Sequence, residues 1–363
     1  MIRRSRRMKM VNQMHALSPQ DILDGRIDLP LLADGGALDN PVVVVDLDEE
    51  FSEDDARAVS AKVLGSDRVV LGRYTGRTPD AATRTLARSL DSTVSTVLTE
   101  NVREFVGVED PDAELASVFD RFQENPYASV VASQVLRLGE NLSIPAALDV
   151  ESLAYSTLLG TPDFKRWLTG RGPRPLPPPA PQEPVLIERR DGLLHITLNR
   201  PERRNAYGAQ VRDGLVAALQ VAVMDPGIEK VLLDGAGPSF SAGGDLDEFG
   251  TTPDLAIAHL IRTRSGAARL MARLSDRIEV QVHGSCVGAG IEVPAFAADV
   301  CAHPDTVFRL PEISMGLIPG AGGTVSIPRR IGRWRSYHLF LSGAAINTER
   351  ALDWGLIDSI API

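Results

Sequence analysis

Cysteine is almost absent from the sequence, and long apolar runs are missing altogether. Cys286 and Cys301 are the only cysteines among 363 residues, too few for a disulfide framework or a cysteine-rich metal site. We therefore expect two buried free thiols, a reducing cytoplasm and no metal centre. No run of about 18 apolar residues occurs, so we expect no transmembrane helix.

Positive charge is also scarce. The formal net charge is −10, and only four of the 38 basic residues are lysine. Proteins bind the phosphate backbone of nucleic acids through clustered lysine and arginine, so an acidic chain is a poor candidate for that role. We expect neither a nucleic-acid partner nor a membrane partner.

A proline-rich segment divides the sequence into two nearly equal parts. Gly170–Pro184 contains seven prolines, which exclude a helix or a central strand and predict an extended linker over residues 170–184. We expect a disordered or extended N-terminus at residues 1–40, an N-terminal domain at residues 41–169 and a core with the active site at residues 185–363.

The N-terminal part reads as strands followed by helices. Pro41–Asp48 and Arg68–Tyr74 are predicted strands, Asp91–Leu98 is a weaker one, and Ser52 is expected to cap a helix that ends near Leu64. From Pro111 onward the apolar spacing becomes helical. The predicted helices are Pro111–Gln123, Tyr127–Gly139, Pro145–Leu159 and Thr161–Leu168.

Strands and helices alternate after the linker, which indicates an α/β fold. Val185–Arg190 and Leu193–Asn199 should form a hairpin around Asp191 and Gly192. The remaining predicted elements are helix Gly208–Val223, strand Val231–Asp234, helix Ala256–Leu274, strand Glu279–His283 and helix Ala289–Ala297.

Glycine-rich turns follow several of these strands. The main ones are Gly235–Asp245, Gly284–Glu292 and Gly316–Thr324, and none contains a dinucleotide-binding GxGxxG motif or a P-loop. Glycine lets a ligand approach the backbone closely, and two converging N–H groups can stabilise an oxyanion. The alternative is that these glycines only form tight corners.

Two glutamates lie in apolar, glycine-rich surroundings. Glu292 occurs in AGIEVPAF and Glu312 in FRLPEISMG. Burial raises a carboxyl pKa, and two neighbouring carboxylates push their pKa values apart. Such a pair suits the addition of water to a double bond, although either glutamate could instead serve only to anchor a helix or an arginine.

Several of these segments together resemble one family. LNRPERRNA, PSFSAGGDLDEF, HGSCVGAGIEVPAFAAD and FRLPEISMGLIPGAGGT resemble, in order, the signatures of the crotonase (enoyl-CoA hydratase/isomerase) superfamily. The resemblance covers the C-terminal half. It implies an α/β fold with a crotonase-like ββα spiral core and a helical region for capping and trimerisation.

The resemblance also implies roles for individual residues. Glu292 and Glu312 match the catalytic glutamates, and Gly244 and Ala289 match the donors of the oxyanion hole, Ala289 standing where the family usually has glycine. An alanine can still donate its N–H if its φ is negative. The substrate would be an acyl thioester of coenzyme A (CoA), with no permanently bound cofactor.

Further positions correspond to the CoA-binding part of the family's site. Ala206 and Ala242 match backbone positions around the adenine, and Arg203 or Arg204 could meet the phosphates. Asp245 belongs to the same region and is expected to cap or brace its turn. On the predicted helix after this turn, His259 and Arg262 are expected at the surface, although Arg262 could face a polar substrate.

Hydration of a trans-2-enoyl-CoA is the expected reaction, because both glutamates are present. The alternatives are an isomerase, which can work with one carboxylate, the dioxygenase chemistry of an N-terminally extended branch, and a catalytically silent scaffold subunit.

The family's C-terminal helices have a counterpart earlier in the chain. The family normally continues beyond the segment that ends this sequence, whereas residues 125–167 resemble its helical tail, with Ala146, Glu151 and Tyr155 on one helix. Two explanations are open: these helices cap the C-terminal site of their own or a neighbouring chain, or the chain is a duplication whose first copy decayed and whose second copy lost its tail. In both cases they contribute no catalytic residue. Residues 41–124 could be a degenerate crotonase half. The expected assembly is a homotrimer or a dimer of trimers.

Overall fold

The structure is a computed structural model that describes residues 16–96, 102–252 and 254–362. The first part contains a parallel sheet with strand order β1-β2-β3-β4. Its elements are α1 (Pro19–Leu23), β1 (Val42–Asp46), α2 (Glu53–Leu64), β2 (Val69–Tyr74), α3 (Ala81–Ser89), β3 (Ser92–Ser95) and β4 (Phe105–Gly107).

The start of the chain differs in part from the expected disordered or extended segment. Residues 1–15 lie outside the described residues, whereas residues 16–40 include α1. Ser18 and Asp21 form a capping box at the start of α1, and Ile22 is fully buried. Leu17 pairs with Val45 beside β1, which fixes this segment to the sheet.

Four helices follow, and each has proline in its first turn, where the missing N–H costs nothing. They are α4 (Pro111–Glu124), α5 (Pro126–Gly139), α6 (Ile144–Leu158) and α7 (Pro162–Arg171). Because α7 continues to Arg171 and ends at Gly172, the extended proline segment begins slightly later than predicted. It lies against the second half, where Arg200 donates to the carbonyl of Pro178.

The second half confirms the predicted α/β fold. A six-stranded sheet has the order β13-β10-β8-β7-β6-β5, in which only the β5–β6 hairpin is antiparallel, and a second sheet has the order β12-β11-β9. The strands are β5 (Val185–Arg190), β6 (Leu193–Leu198), β7 (Lys230–Gly235), β8 (Ile278–Val282), β9 (Ser285–Val287), β10 (Asp299–Ala302), β11 (Val307–Arg309), β12 (Ile346–Asn347) and β13 (Ser359–Ile360).

Two of the predicted helices in this half are shorter than expected. The segment predicted as one helix over Ala256–Leu274 is broken near Gly266, and Pro294 follows the end of the short helix at Glu292. The helices are α8 (Ala209–Met224), α9 (Leu255–Arg264), α10 (Ala268–Arg273), α11 (Ala289–Glu292), α12 (Gly323–Ser342) and α13 (Thr348–Trp354).

The two halves share one continuous hydrophobic core. Helix α5 packs on α12, and α6 contacts α9, α10 and α12. Buried polar contacts join the same elements: the Tyr337 hydroxyl donates to the Ser129 carbonyl at 3.0 Å, and Arg333 donates to the Leu90 carbonyl at 2.6 Å. The helices before the proline segment are therefore packed onto the second half.

Among the described residues, no helix is both long and apolar enough to cross a membrane.

Candidate active site

A cavity of about 510 Å³ lies between the glycine-rich turns of the second half and helices α6 and α9. Its wall includes Glu292, Glu312, Gly244 and Ala289, all four of which are the predicted catalytic positions. The first half contributes Tyr155 and Leu159 to the same wall. The fold thus brings the predicted residues together and adds side chains from the other side of the proline segment.

The first two glycine turns touch each other at this cavity. Ser241 pairs with Cys286, and Val287 N–H donates to the Ser241 carbonyl at 3.1 Å. Gly243 has φ +90°, and a Cβ there would lie 2.6 Å from the Val287 carbonyl oxygen, so a side chain would separate the turns.

Gly244 and Ala289, which the sequence predicts as oxyanion donors, both lie at the cavity. The N–H groups of Gly244 and Ala289 line the cavity and donate no hydrogen bond to any residue that the structure describes. Ala289 is the first residue of α11 and does not have positive φ, so its side chain is compatible with the turn. Unpaired N–H groups on two touching turns can stabilise a negatively charged oxygen where they converge.

The two glutamates are held differently. Glu292 is 2% exposed, and its Oε2 accepts hydrogen bonds from the N–H groups of Ala321 at 2.7 Å and Gly323 at 2.9 Å. Glu312 is 8% exposed, and its buried Oε2 accepts no hydrogen bond within the described part of the chain. A buried carboxyl oxygen without a partner is available to a water or a substrate.

Gly288 separates the two carboxyl groups. Its φ is +50°, and a Cβ at this position would lie 2.4 Å from Glu312 Oε1 and 3.6 Å from Glu292 Oε1. The two carboxyl groups therefore flank the same point of the backbone, and only glycine leaves the space between them open.

A third carboxylate, Glu151 of α6, reaches the same region from the first half. Its Oε1 accepts from Gly322 N–H at 2.9 Å, and its Oε2 accepts from Thr324 N–H at 2.9 Å and from the Thr324 hydroxyl at 2.8 Å. The four successive N–H groups of residues 321–324 thus alternate between Glu292 and Glu151 at the start of α12. Carboxylates at a helix N-terminus satisfy donors that have no partner within the helix.

Burial dominates the proton affinity of all three carboxyl groups. It raises the pKa of Glu312 to about 8 and that of Glu151 to about 7. Burial also raises the pKa of Glu292 well above its usual range, with further contributions from Glu312 and Glu151. Near neutral pH the cluster therefore holds protons that an exposed glutamate would have released, which suits groups that both donate and accept protons.

The raised pKa of Glu312 predicts how stability changes with pH. An unperturbed glutamate titrates near 4.5, whereas Glu312 titrates at about 8 in the fold. Between these values the folded protein binds more protons than the unfolded chain, so the free energy of unfolding falls as pH rises. Glu312→Gln cannot ionise, and thermal melts across this range should fall less steeply for the variant than for the unmodified protein. Equal slopes would contradict the assignment.

Tyr155 and Arg262 form the wall of the cavity beyond the glutamates. The Arg262 guanidinium carbon lies 4.4 Å from the centre of the Tyr155 ring. Arg262 also donates from Nε to the Ser152 hydroxyl at 3.2 Å, and His259 contacts the same hydroxyl at 3.0 Å. Arg262, expected at the surface, is instead half-buried and lines the cavity, whereas half-buried His259 does not line it.

The predicted CoA-binding residues fall into two groups. Arg203 donates to Asp245 at 2.9 and 2.6 Å and to Asp247 at 2.8 Å, so its charge is already balanced. Asp245 is buried and also accepts from Asp247 N–H, which makes it a brace for its own turn. Arg204 is exposed and has no partner among the described side chains.

The two alanines lie close to Arg204. Ala242 lines the cavity and donates its N–H to the Arg204 carbonyl at 2.9 Å. Ala206 is buried two residues further along the chain, where its N–H donates to the Arg203 carbonyl at 3.1 Å. The backbone of Arg204 therefore lies beside the cavity wall at Ala242.

Glu151 and Tyr155 are site residues that the sequence reasoning missed. The family resemblance predicts no catalytic residue in α6, and both residues belong to the segment that resembles a helical tail. A signal was present: Leu148, Glu151, Ser152 and Tyr155 recur at helical spacing, and all four are buried. A carboxylate on the buried face of a helix requires a polar partner, and that partner is the start of α12.

Within the described parts of the chain, no set of His, Cys, Asp or Glu side chains is grouped to hold a metal ion.

Comparison with known proteins shows the family to which the second half is similar. A family model described as Enoyl-CoA hydratase/isomerase matches residues 188–363. The chain is 34% identical to 2,3-dehydroadipyl-CoA hydratase of Escherichia coli over 178 residues, which are 49% of this chain and 69% of that protein. It is also 34% identical to 1,2-epoxyphenylacetyl-CoA isomerase of the same organism, over 48% of this chain and 68% of that protein.

A solved structure matches a similar share of the chain. The enoyl-CoA hydratase of Thermoplasma volcanium is 30% identical, with a TM-score of 0.46, over 50% of this chain and 72% of that one. The chain spans about two thirds of the length of the curated relatives it matches. With a family model over almost the whole second half and relatives more than 30% identical, the chain belongs to the enoyl-CoA hydratase/isomerase family.

Proposed function

We propose that this protein adds water to the double bond of a trans-2-enoyl-CoA. The observation that carries the proposal is the pair Glu292 and Glu312, which flank Gly288 in a cavity that also exposes the N–H groups of Gly244 and Ala289. Hydration of an enoyl thioester needs an acid, a base and stabilisation of an enolate oxygen, and the cavity contains groups suited to each task.

The proposed reaction uses the two glutamates as a pair. The thioester carbonyl oxygen accepts hydrogen bonds from Gly244 and Ala289, which stabilises negative charge on that oxygen as the enolate forms. One carboxylate takes a proton from water while the water oxygen bonds to C3. The other carboxyl group donates its proton to C2. Water is thereby added, and the pair as a whole holds the same number of protons afterwards. Because the groups are coupled, their titration belongs to the pair.

The CoA portion is proposed to bind beside Ala206 and Ala242, with Arg204 as the cation that meets its phosphates. Arg204 is favoured over Arg203 because Arg203 already pairs with Asp245 and Asp247. CoA is part of the substrate in this proposal, and no separate cofactor is required.

Helices α6 and α7 are proposed to cap the acyl site, in the place of the tail that the family normally has. Support comes from Glu151 at the start of α12 and from Tyr155 in the cavity wall. A truncated chain that begins at Pro181 should lose enoyl-CoA turnover, because the cavity wall and the Glu151 contacts are removed. Full activity of that truncated chain would contradict a capping role.

Self-association as a homotrimer or a dimer of trimers is also a proposal. Helix α9 exposes apolar side chains, including Ile257 at 49% and Leu260 at 52%, as expected for a face that a second copy covers. Light scattering should give a mass that is three or six times the 39.1 kDa of the chain. A monomer would contradict this proposal.

Cys286 and Cys301 are both buried and free, which supports the proposed cytoplasmic location.

The reaction is tested by incubating the purified protein with crotonyl-CoA and with longer and aromatic enoyl-CoAs. Hydration removes the absorbance of the conjugated enoyl thioester. Measurable CoA binding without loss of this absorbance for any thioester would contradict the proposal and favour a scaffold role.

Isomerisation is the second candidate, and one observation favours it. Glu292 Oε2 is occupied by two backbone N–H groups, whereas Glu312 Oε2 has no partner among the described residues, as expected if one carboxylate carries the proton. A trans-3-enoyl-CoA distinguishes the two reactions. An isomerase converts it to the conjugated thioester and raises the absorbance, whereas a hydratase alone leaves it unchanged.

A further inference from the structure

Three arginines line a small cavity of about 60 Å³ that adjoins the main one. Arg212 pairs with Asp213 at 2.7 Å, and Arg269 pairs with Asp149 at 2.6 Å. Arg262 lines both cavities, yet no carboxylate in the described ranges lies within ion-pair distance of it. It is therefore the one of these three cations that lacks a counter-ion.

The Arg262 guanidinium is fixed by neutral groups of α6. Nε donates to the Ser152 hydroxyl at 3.2 Å, and Nη2 donates to the Ser152 carbonyl at 3.2 Å and to the Ser156 hydroxyl. Its face lies on the Tyr155 ring. Nη1 makes no hydrogen bond within the described chain. These contacts hold the side chain in one orientation but provide no ion pair.

Glu151 attracts Arg262 through its charge but forms no ion pair with it. Both Glu151 oxygens accept hydrogen bonds from Gly322 or Thr324, so its charge is directed towards the start of α12. Burial lowers the pKa of Arg262, which is the direction expected for a cation without adequate compensation. A bound anion would supply that compensation.

The Tyr155 ring lies close both to Arg262 and to the segment that binds Glu292. Glu292 accepts from Ala321, the residue next to Gly320, and a Cβ on Gly320 would lie 2.4 Å from the Tyr155 ring. The guanidinium lies on that ring. An acyl chain that begins at the glutamates and follows the Tyr155 ring would bring its far end to Arg262.

We propose that Arg262 binds a carboxylate at the far end of the acyl chain, so that the preferred substrate is the CoA thioester of a dicarboxylic acid. An arginine fork matches a carboxylate through two parallel hydrogen bonds, which a terminal methyl group cannot accept. This inference rests on the proposed function, because it requires that the cavity binds an acyl-CoA.

Binding of saturated thioesters tests the inference without any reaction. Calorimetry would compare matched pairs on the full chain: succinyl- with butyryl-CoA, adipoyl- with hexanoyl-CoA, and suberoyl- with octanoyl-CoA. We expect at least one dicarboxylic thioester to bind about tenfold or more tightly than its partner. Arg262→Gln should abolish that preference while leaving the affinity for the monocarboxylic partner within about twofold, which also shows that the variant is folded.

Arg212→Gln is the matched control, since Arg212 lines both cavities but is paired with Asp213. It should keep the preference. The inference is overturned if no pair shows a preference, if Arg262→Gln weakens both members of a pair equally, or if Arg212→Gln removes the preference as fully as Arg262→Gln. A carboxylate preference without turnover of any enoyl-CoA would contradict only the proposed reaction, and turnover without the preference would contradict only this inference.

Discussion

Replacing Glu312 with glutamine should lower the rate of enoyl-CoA hydration by about 10²- to 10⁴-fold, and Glu292→Gln should do the same. Glutamine keeps the size and the acceptor oxygen of glutamate but cannot carry a proton at neutral pH. Because Gly288 keeps both carboxyl groups beside one open space, neither can take over the task of the other without moving. The loss should appear mainly in kcat, with little change in the affinity for a saturated acyl-CoA.

The two variants also separate the candidate reactions. Hydration uses one carboxyl group for water and the other for C2, so both variants should be strongly impaired. An isomerase that moves a single proton between carbons should lose activity in only one of them. Glu229→Gln is a suitable control, because it makes the same change on an exposed side chain outside the cavity. Two variants with undiminished turnover would exclude acid–base roles for both glutamates.

Replacing Glu151 with alanine should impair both stability and activity. The change leaves the N–H groups of Gly322 and Thr324 and the Thr324 hydroxyl without their acceptor, and each unpaired buried group costs about 1–3 kcal/mol. The start of α12 should then loosen, and with it the two N–H groups that hold Glu292. We expect a lower melting temperature and a lower kcat.

Glu151→Gln tests the electrostatic part of the same contact. The charge of Glu151 raises the pKa of Glu292, so its removal should shift the limb of the pH–rate profile that depends on Glu292 towards lower pH. Asp149→Asn on the same helix is the control, because Asp149 pairs with Arg269 at a partly exposed site and should have a small effect. An unchanged pH profile together with an unchanged melting temperature would show that Glu151 has no influence on the site.

Four residues of the candidate site were predicted from the glycine-rich turns together with the family resemblance, and the structure brings them to one cavity. Gly244, Ala289, Glu292 and Glu312 each lie in or beside a glycine-rich turn after a strand, where backbone geometry is fixed by neighbouring residues. Arg203 was harder, because its partner Asp245 is 42 residues away and nothing in the local pattern shows that the two side chains meet. The local sequence around a loop arginine does not show whether its side chain forms an ion pair.

Contacts between the two halves could not be predicted from periodicity. The distance along the chain from Glu151 to Gly322 is 171 residues, and helical spacing shows only that Glu151 lies on a buried face. Helix α9 and helix α10 were predicted as one because the apolar spacing continues through Gly266. At that residue a Cβ would lie 2.4 Å from the Arg262 carbonyl oxygen, so the backbone turns there too tightly for a side chain.

The alternation of Glu292 and Glu151 along residues 321–324 has a consequence for a chain cut in its proline segment. The fragment after the cut would keep the bonds from Ala321 and Gly323 to Glu292, but the N–H groups of Gly322 and Thr324 would lose their acceptor. The fragment before the cut would carry Glu151 without those donors. Neither fragment could satisfy these groups alone, whereas the two together could. The proline segment is therefore a suitable place to divide the chain into two fragments. We expect the fragments to recover activity only when they reassociate.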